Sequence, residues 1–309
     1  MRPLNSCAKR PPMWLIIFAV LTACGVFGGV ARAEAPAVAA PAFASDRLSV
    51  EVVGQGPDVI LIPGFGSSRE VWRATADRLR ATHRVHLVQL AGFAGEPWTH
   101  GDGAFVQPVV DELHRYIAEN HLGSPAVVGH SMGALVGLML AQQHPADVGK
   151  LMSVDSLPFF SALYGPTATA ETAAPFAEQA AAGILNTPDE AFRTGQARTA
   201  EGYSRDPATR VAMIEWTIAS DRRAMASAIK DVMTTDTRPG LPAMTTPVTA
   251  LYAADANGGA PAAMADAMWT REYATLPGVT LIRVDDSRHF IMADQPTRFA
   301  ELLDAFLAE

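Results

Sequence analysis

The segment Gly129-His130-Ser131-Met132-Gly133 holds a serine between two glycines. A short apolar run, 126–128, precedes it, and a helix-like stretch, 134–143, follows. In a G-x-S-x-G turn between strand and helix, flanking side chains would collide with neighbouring backbone, hence the glycines. Such a turn lifts the hydroxyl above the sheet and onto a helix N-terminus. Free N–H groups and the helix dipole there favour developing negative charge. This is the setting of a nucleophile that attacks an acyl carbonyl. A chance Gly-Ser-Gly turn is the bland alternative, and the flanking strand and helix weigh against it.

A nucleophilic serine needs a base. The eight histidines are 83, 86, 100, 114, 121, 130, 144 and 289. Only His289, in Asp285-Asp286-Ser287-Arg288-His289-Phe290, lies between a late strand (279–284) and the last helix. Loops at strand C-termini line the crevice where open sheets bind ligands, so His289 is the expected base. His114, His121 and His144 read as helix-face or helix-end residues, and His100 as a loop residue. His130 adjoins the serine but is expected to face packing. The third member is an acid that orients the imidazole. Asp255 closes the strand 248–253 and keeps the chain order Ser, Asp, His, which makes it the first choice. Asp155, ending the strand before it, is the second candidate. The turn Pro63-Gly64-Phe65-Gly66-Ser67-Ser68 is placed to offer the Phe65 N–H to an oxyanion, with Met132 giving the second N–H.

The elements that must position these residues alternate. Strand patterns occupy 48–53, Asp58–Ile62, Arg84–Leu90, 126–128 and 149–154, with helical spacing at 71–82, 106–121 and 134–143 between them. This is a βαβ pattern, expected to give an open, mainly parallel sheet flanked by helices. Residues 156–246 then show helical stretches and no convincing strand, one opening at Asp206-Pro207 as N-cap and N1. Strand character returns at 248–253 and 279–284, and the last helix begins near Gln295-Pro296. The expected organisation is a core of 46–155 and 247–309, with 156–246 a helical cap inserted after the sixth strand.

Together, Pro63-Gly64-Phe65-Gly66, the Gly129–Gly133 turn and Ser287-Arg288-His289-Phe290 leading to Asp294-Gln295-Pro296 resemble the α/β-hydrolase superfamily over residues 47–309. One departure touches the acid: Leu251-Tyr252-Ala253-Ala254-Asp255 lacks the glycine that often precedes it in the superfamily. The resemblance implies a serine hydrolase, with a carboxylic ester of small or medium apolar character as expected substrate. No cofactor or metal is expected. A lactonase, amidase or peptidase would use the same residues. A ligand-binding protein on the same scaffold is the reading from another class, and it would need none of Ser131, His289 or the glycines. Phe159, Phe160 and Tyr164, nearest the sheet end of the cap, are the expected pocket residues.

Composition agrees with this class. The 309 residues are 49% hydrophobic and 18% charged, an ordinary globular balance. A net charge of -8 gives a nucleic-acid partner no electrostatic support. Both cysteines, Cys7 and Cys24, fall in the first 24 residues, so the folded part has no disulfide framework. Arg2, Lys9 and Arg10, an apolar run over 13–30 and Ala31-Arg32-Ala33 have the layout of a secretory signal peptide at 1–33. Ala/Pro-rich 34–45 reads as a flexible lead-in. Cleavage after Ala33 removes four basic residues and no acid, taking the net charge from -8 to -12. The expectation is an exported protein, periplasmic or secreted, without a membrane span in its mature form. Leu21-Thr22-Ala23-Cys24 also resembles a lipobox, which offers lipid anchoring through Cys24 as the alternative.

Overall fold

In the computed structural model, residues 43–309 are described; the signal-peptide and lipobox expectations concern residues outside that range. Seven strands among the described residues form one sheet: β1 (Leu48–Gly54), β2 (Asp58–Ile62), β3 (Arg84–Leu90), β4 (Ala126–His130), β5 (Lys150–Val154), β6 (Val248–Ala254) and β7 (Thr280–Asp285). Their spatial order is β1-β3-β2-β4-β5-β6-β7. Only β1 runs antiparallel, against β3; every other pairing is parallel. The apolar runs of β2 and β4 have no polar alternation because both sheet faces are covered.

The helices that cover the sheet are α1 (Arg73–Leu79), α2 (Val106–Glu119), α3 (Met132–Gln143), α8 (Ala262–Glu272), α9 (Ile291–Asp294) and α10 (Pro296–Ala308). One core cluster joins Val110, Leu113, Val136 and Leu140 of α2 and α3 to the sheet. A second joins Ala76 and Leu79 of α1, Phe299, Leu303 and Phe306 of α10, and Trp72 just before α1 on the other face. Helix α3 is apolar on all sides and almost wholly buried, because it lies between the sheet and α2. The 71–82 helix expected from the sequence is a 3-10 turn, Arg69–Trp72, running into the shorter α1.

Between β5 and β6 lie α4 (Ala170–Asn186), α5 (Asp189–Tyr203), α6 (Pro207–Ala219) and α7 (Arg222–Thr234), with no strand. This helical insertion follows the fifth strand in chain order among the described residues, not the sixth. Asp206 caps α6 through the Thr209 N–H at 2.7 Å, with Pro207 at N1. Asp221 does the same for α7. No helix among the described residues is long and apolar enough to cross a membrane.

Candidate active site

Strand β4 delivers Ser131 to the rim of the sheet, and α3 starts at the next residue. Ser131 has φ 53° and ψ -120°, a conformation costing a β-carbon residue roughly 1–3 kcal/mol. The turn is held by the Ser131 N–H donating to Val154 O at 2.9 Å and by Ala134 N–H donating to Ser131 O at 2.9 Å. Both glycines are required by space. A Cβ at Gly129 would stand 2.3 Å from Gly133 O, and one at Gly133 would stand 2.4 Å from Ile62 O. Met132 is the first residue of α3, so its N–H has no partner within the helix. Phe65 and Gly66, after β2, border the same cavity as Ser131, with Gly66 at φ +64°.

His289 also borders this cavity, and its Nδ1 lies 2.7 Å from Asp155 Oδ2. The other oxygen of Asp155 accepts the Ala253 N–H at 2.9 Å, which fixes the carboxylate across the end of β6. Asp155 sits at φ 50°, and its own N–H donates to Leu251 O at 2.8 Å. Among the described residues no hydrogen bond joins Ser131 Oγ to His289; such contacts are commonly long before substrate binds.

The expectation of Asp255 as the partner of His289 is therefore corrected to Asp155. Asp255 is buried and turned elsewhere: its Oδ2 accepts Arg288 Nε at 2.8 Å and its Oδ1 the Asn257 N–H at 2.9 Å. Arg205 stands 3.6 Å away. Burial alone would raise the Asp255 pKa. The Asn257 N–H, the Arg288 hydrogen bond and the two guanidinium charges outweigh it and hold the carboxyl below its usual range. Arg288 also donates to Asn257 O at 3.1 Å and to Glu201 O.

The insertion grips the His289 loop through residues that no local motif marks. Asp294 Oδ1 accepts Ser204 Oγ at 2.6 Å and the Arg205 N–H at 2.8 Å, while its Oδ2 accepts the Arg288 N–H at 2.8 Å. Phe290 N–H donates to Tyr203 O at 3.1 Å, and the Tyr203 ring lies 4.9 Å from the His289 ring. The α5–α6 junction and the histidine loop are thus one hydrogen-bonded unit. The available signal was Arg288 itself, a cation one residue from the histidine and in need of an acid.

His130 is buried under Phe290 and His289, each ring 4.6 Å away. Its Nε2–H donates to the His289 carbonyl at 2.9 Å. Burial, and secondarily the charge of His289, hold His130 well below the usual histidine pKa, so it is neutral and supports the loop.

The cavity above Ser131 holds about 520 Å³, in the range of sites for drug-sized ligands. Its walls are mostly apolar, with Leu135, Phe160, Ile184, Met213, Met225 and Trp269 among them. Of the expected pocket residues, Phe160 lines it. Phe159 does not: it is buried in the core beneath the Arg238 guanidinium, 4.6 Å from its ring. Consecutive residues at the mouth of a 3-10 turn point apart, so only one of the pair faces the cavity. Tyr164 is exposed outside the lining. Among the described residues Arg288 is the one Arg or Lys of the wall, and Asp255 pairs with it. The His114, His144 and Asp147 group has metal-ligand proximity, but it lies at α2 and the exit of α3, away from the cavity.

A seven-stranded, mainly parallel sheet with a serine on a glycine-flanked elbow defines the α/β-hydrolase class of fold. Residues 59–302 match the model of the alpha/beta hydrolase family, and the chain belongs to that family. It is similar to a pimeloyl-[acyl-carrier protein] methyl ester esterase of Vibrio atlanticus, 35% identical over 122 residues, or 40% of this chain and 45% of the relative. The protein of the same name from Aeromonas hydrophila is 38% identical over 117 residues, 37% and 44% of the two chains. The matched part spans a little under half the length of these curated relatives. Among solved structures, the enol-lactonase of Burkholderia xenovorans LB400 has TM-score 0.69 at 16% identity, covering 85% of this chain and 96% of that one. An esterase from Thermogutta terrifontis has TM-score 0.68 at 20% identity, covering 84% and 93%. At these identities the structures share the fold.

Proposed function

We propose that this chain is an exported serine hydrolase that cleaves a neutral carboxylic ester through an acyl-enzyme. The observation that carries the reading is the meeting of three features in one apolar cavity: the Ser131 elbow, the Asp155-bound His289 and the turn at Phe65. The partial similarity to methyl ester esterases supports an ester as the substrate class.

In this reading Ser131 Oγ attacks the acyl carbonyl while His289 Nε2 takes its proton. Asp155 keeps the Nδ1–H tautomer and balances the imidazolium. The N–H groups of Phe65 and Met132 receive the oxyanion; one such donor is worth roughly a hundredfold or more in rate. His289 returns the proton to the leaving alcohol, and water then releases the acid by the same steps. Among the described residues lining the cavity the one Arg or Lys is Arg288, already paired with Asp255, and this favours an uncharged acyl chain.

The test is hydrolysis of p-nitrophenyl acetate, butyrate and octanoate by the purified protein and by Ser131→Ala. The expected result is a loss on the order of 10⁶ in kcat with the fold intact. Turnover by a folded Ser131→Ala protein at the parent rate would refute the assignment. Export is tested separately, by whether the protein is recovered from the periplasm or medium in a form shortened at Ala33.

A further inference from the structure

The mouth of the cavity carries an apolar collar. Leu163 in the 3-10 turn Phe160–Tyr164, Tyr203 at the end of α5 and Met264 on α8 line the cavity, yet they are 42–57% exposed. Tyr164 and Phe176 continue outward from them, at 67% and 60% exposure. Their rings form a file that begins inside: Tyr164 stands edge-on to cavity-lining Phe160 at 6.4 Å, and Phe176 stacks on Tyr164 at 6.4 Å and 25°. Most of the exposed large apolar side chains among the described residues gather here; the others are Val52, Leu185 and Val211. A contiguous apolar patch continuous with a binding cavity marks a surface that is covered in use.

We propose that the Phe160–Tyr164–Phe176 file is the outer half of the substrate site, and that it takes the distal part of a long, unbranched, uncharged chain of the ester. This rests on the serine-esterase reading above. The chain leaves the scissile carbonyl at Ser131, fills the cavity past Phe160 and lies across Tyr164 and Phe176. A file of rings suits one extended chain. Rings bind such chains without ordering many rotamers, and this explains why they are aromatic and not long aliphatic residues. The occupant is a single substrate molecule and not a lipid surface: the file runs into the cavity, and a net charge of -12 after loss of 1–33 repels anionic lipid.

The experiment compares kcat/KM of the full protein and of the double variant Tyr164→Ser/Phe176→Ser. Two series are used below their aggregation concentrations: p-nitrophenyl esters from C4 to C12, and alkyl butyrates with alcohols from C1 to C10. A fully buried methylene is worth about fourfold. Half-covered methylenes on the collar should each give about twofold in one of the two series. The double variant should keep the parent rate on p-nitrophenyl butyrate and lose roughly tenfold or more at the longest chain, mainly in KM. An equal effect on short and long chains, or none on either series, overturns the proposal. So does a rate on long chains that rises only above the aggregation concentration, since that would assign the collar to an interface. Failure of the underlying reading is distinguishable, because it removes Ser131-dependent turnover of the butyrate. In that event binding of 1-dodecanol against 1-butanol to Ser131→Ala, followed by Trp fluorescence, decides. Preference for dodecanol that is lost on adding Tyr164→Ser/Phe176→Ser supports the collar; equal affinities overturn it.

Discussion

The ends of β5 and β6 carry the same residue, an aspartate directly after the last strand position, and use it in opposite ways. Asp155 after β5 gives one oxygen to His289 and the other to the Ala253 backbone. Asp255 after β6 is buried and gives its oxygens to Arg288 and the Asn257 N–H. One carboxylate faces the cavity and orients an imidazole; the other anchors the loop that carries that imidazole. Adjacent strand ends thus offer two places for a carboxylate, and the partner from the His289 loop decides which place serves which purpose. Arg288 and His289 are neighbours in sequence, and their side chains separate to the two acids.

The contrast breaks most visibly at Asp155. Asp155→Asn should fold and lower kcat by about 10⁴ with KM little changed, since the imidazole would then be held in the wrong tautomer; steady-state kinetics on p-nitrophenyl butyrate measure this. Asp255→Asn should do the reverse, lowering kcat by less than tenfold. It should cost about 3 kcal/mol of stability, the low end for breaking a buried ion pair, as read by urea unfolding.

Acid sharpens the same contrast. The folded pKa of Asp255 lies below its unfolded value of about 3.9, so its contribution is complete above that value and is lost as pH falls through the folded one. The difference in Tm between the parent protein and Asp255→Asn should be constant above about pH 5 and shrink below about pH 4. A gap that widened toward acid would contradict the pairing. The smallest effect belongs to Arg288→Lys, which keeps the charge but loses the fork that reaches Asn257 O and Glu201 O. It should cost about 1 kcal/mol in urea unfolding and change kcat about twofold.

The sheet and its insertion were legible because their signals are local. DVILI and the run before Ser131 are too apolar for one-sided strands, and Asp206-Pro207 caps α6 as written. Ser131 and His289 were singled out because a glycine-flanked turn and a loop between strand and helix have sequence signatures. The acid was not legible in this way. Asp155 and Asp255 have the same local setting, and the choice depends on where Arg288 points, which is a tertiary fact. Phe159 and Phe160 posed a similar ambiguity: adjacent and chemically identical, one packs under Arg238 and the other faces the cavity. The five strand patterns before residue 156 correspond one to one with β1–β5, so the insertion follows the fifth strand and the expected sixth position was a miscount.

The central claim, that Asp155 and not Asp255 holds the His289 imidazole, is tested most directly by proton NMR of the His289 Nδ1–H. A charge-assisted bond of 2.7 Å places this proton far downfield, and its loss in His289→Gln assigns it. The resonance should persist in folded Asp255→Asn and vanish from its place in folded Asp155→Asn. Persistence in Asp155→Asn together with loss in Asp255→Asn would contradict the account.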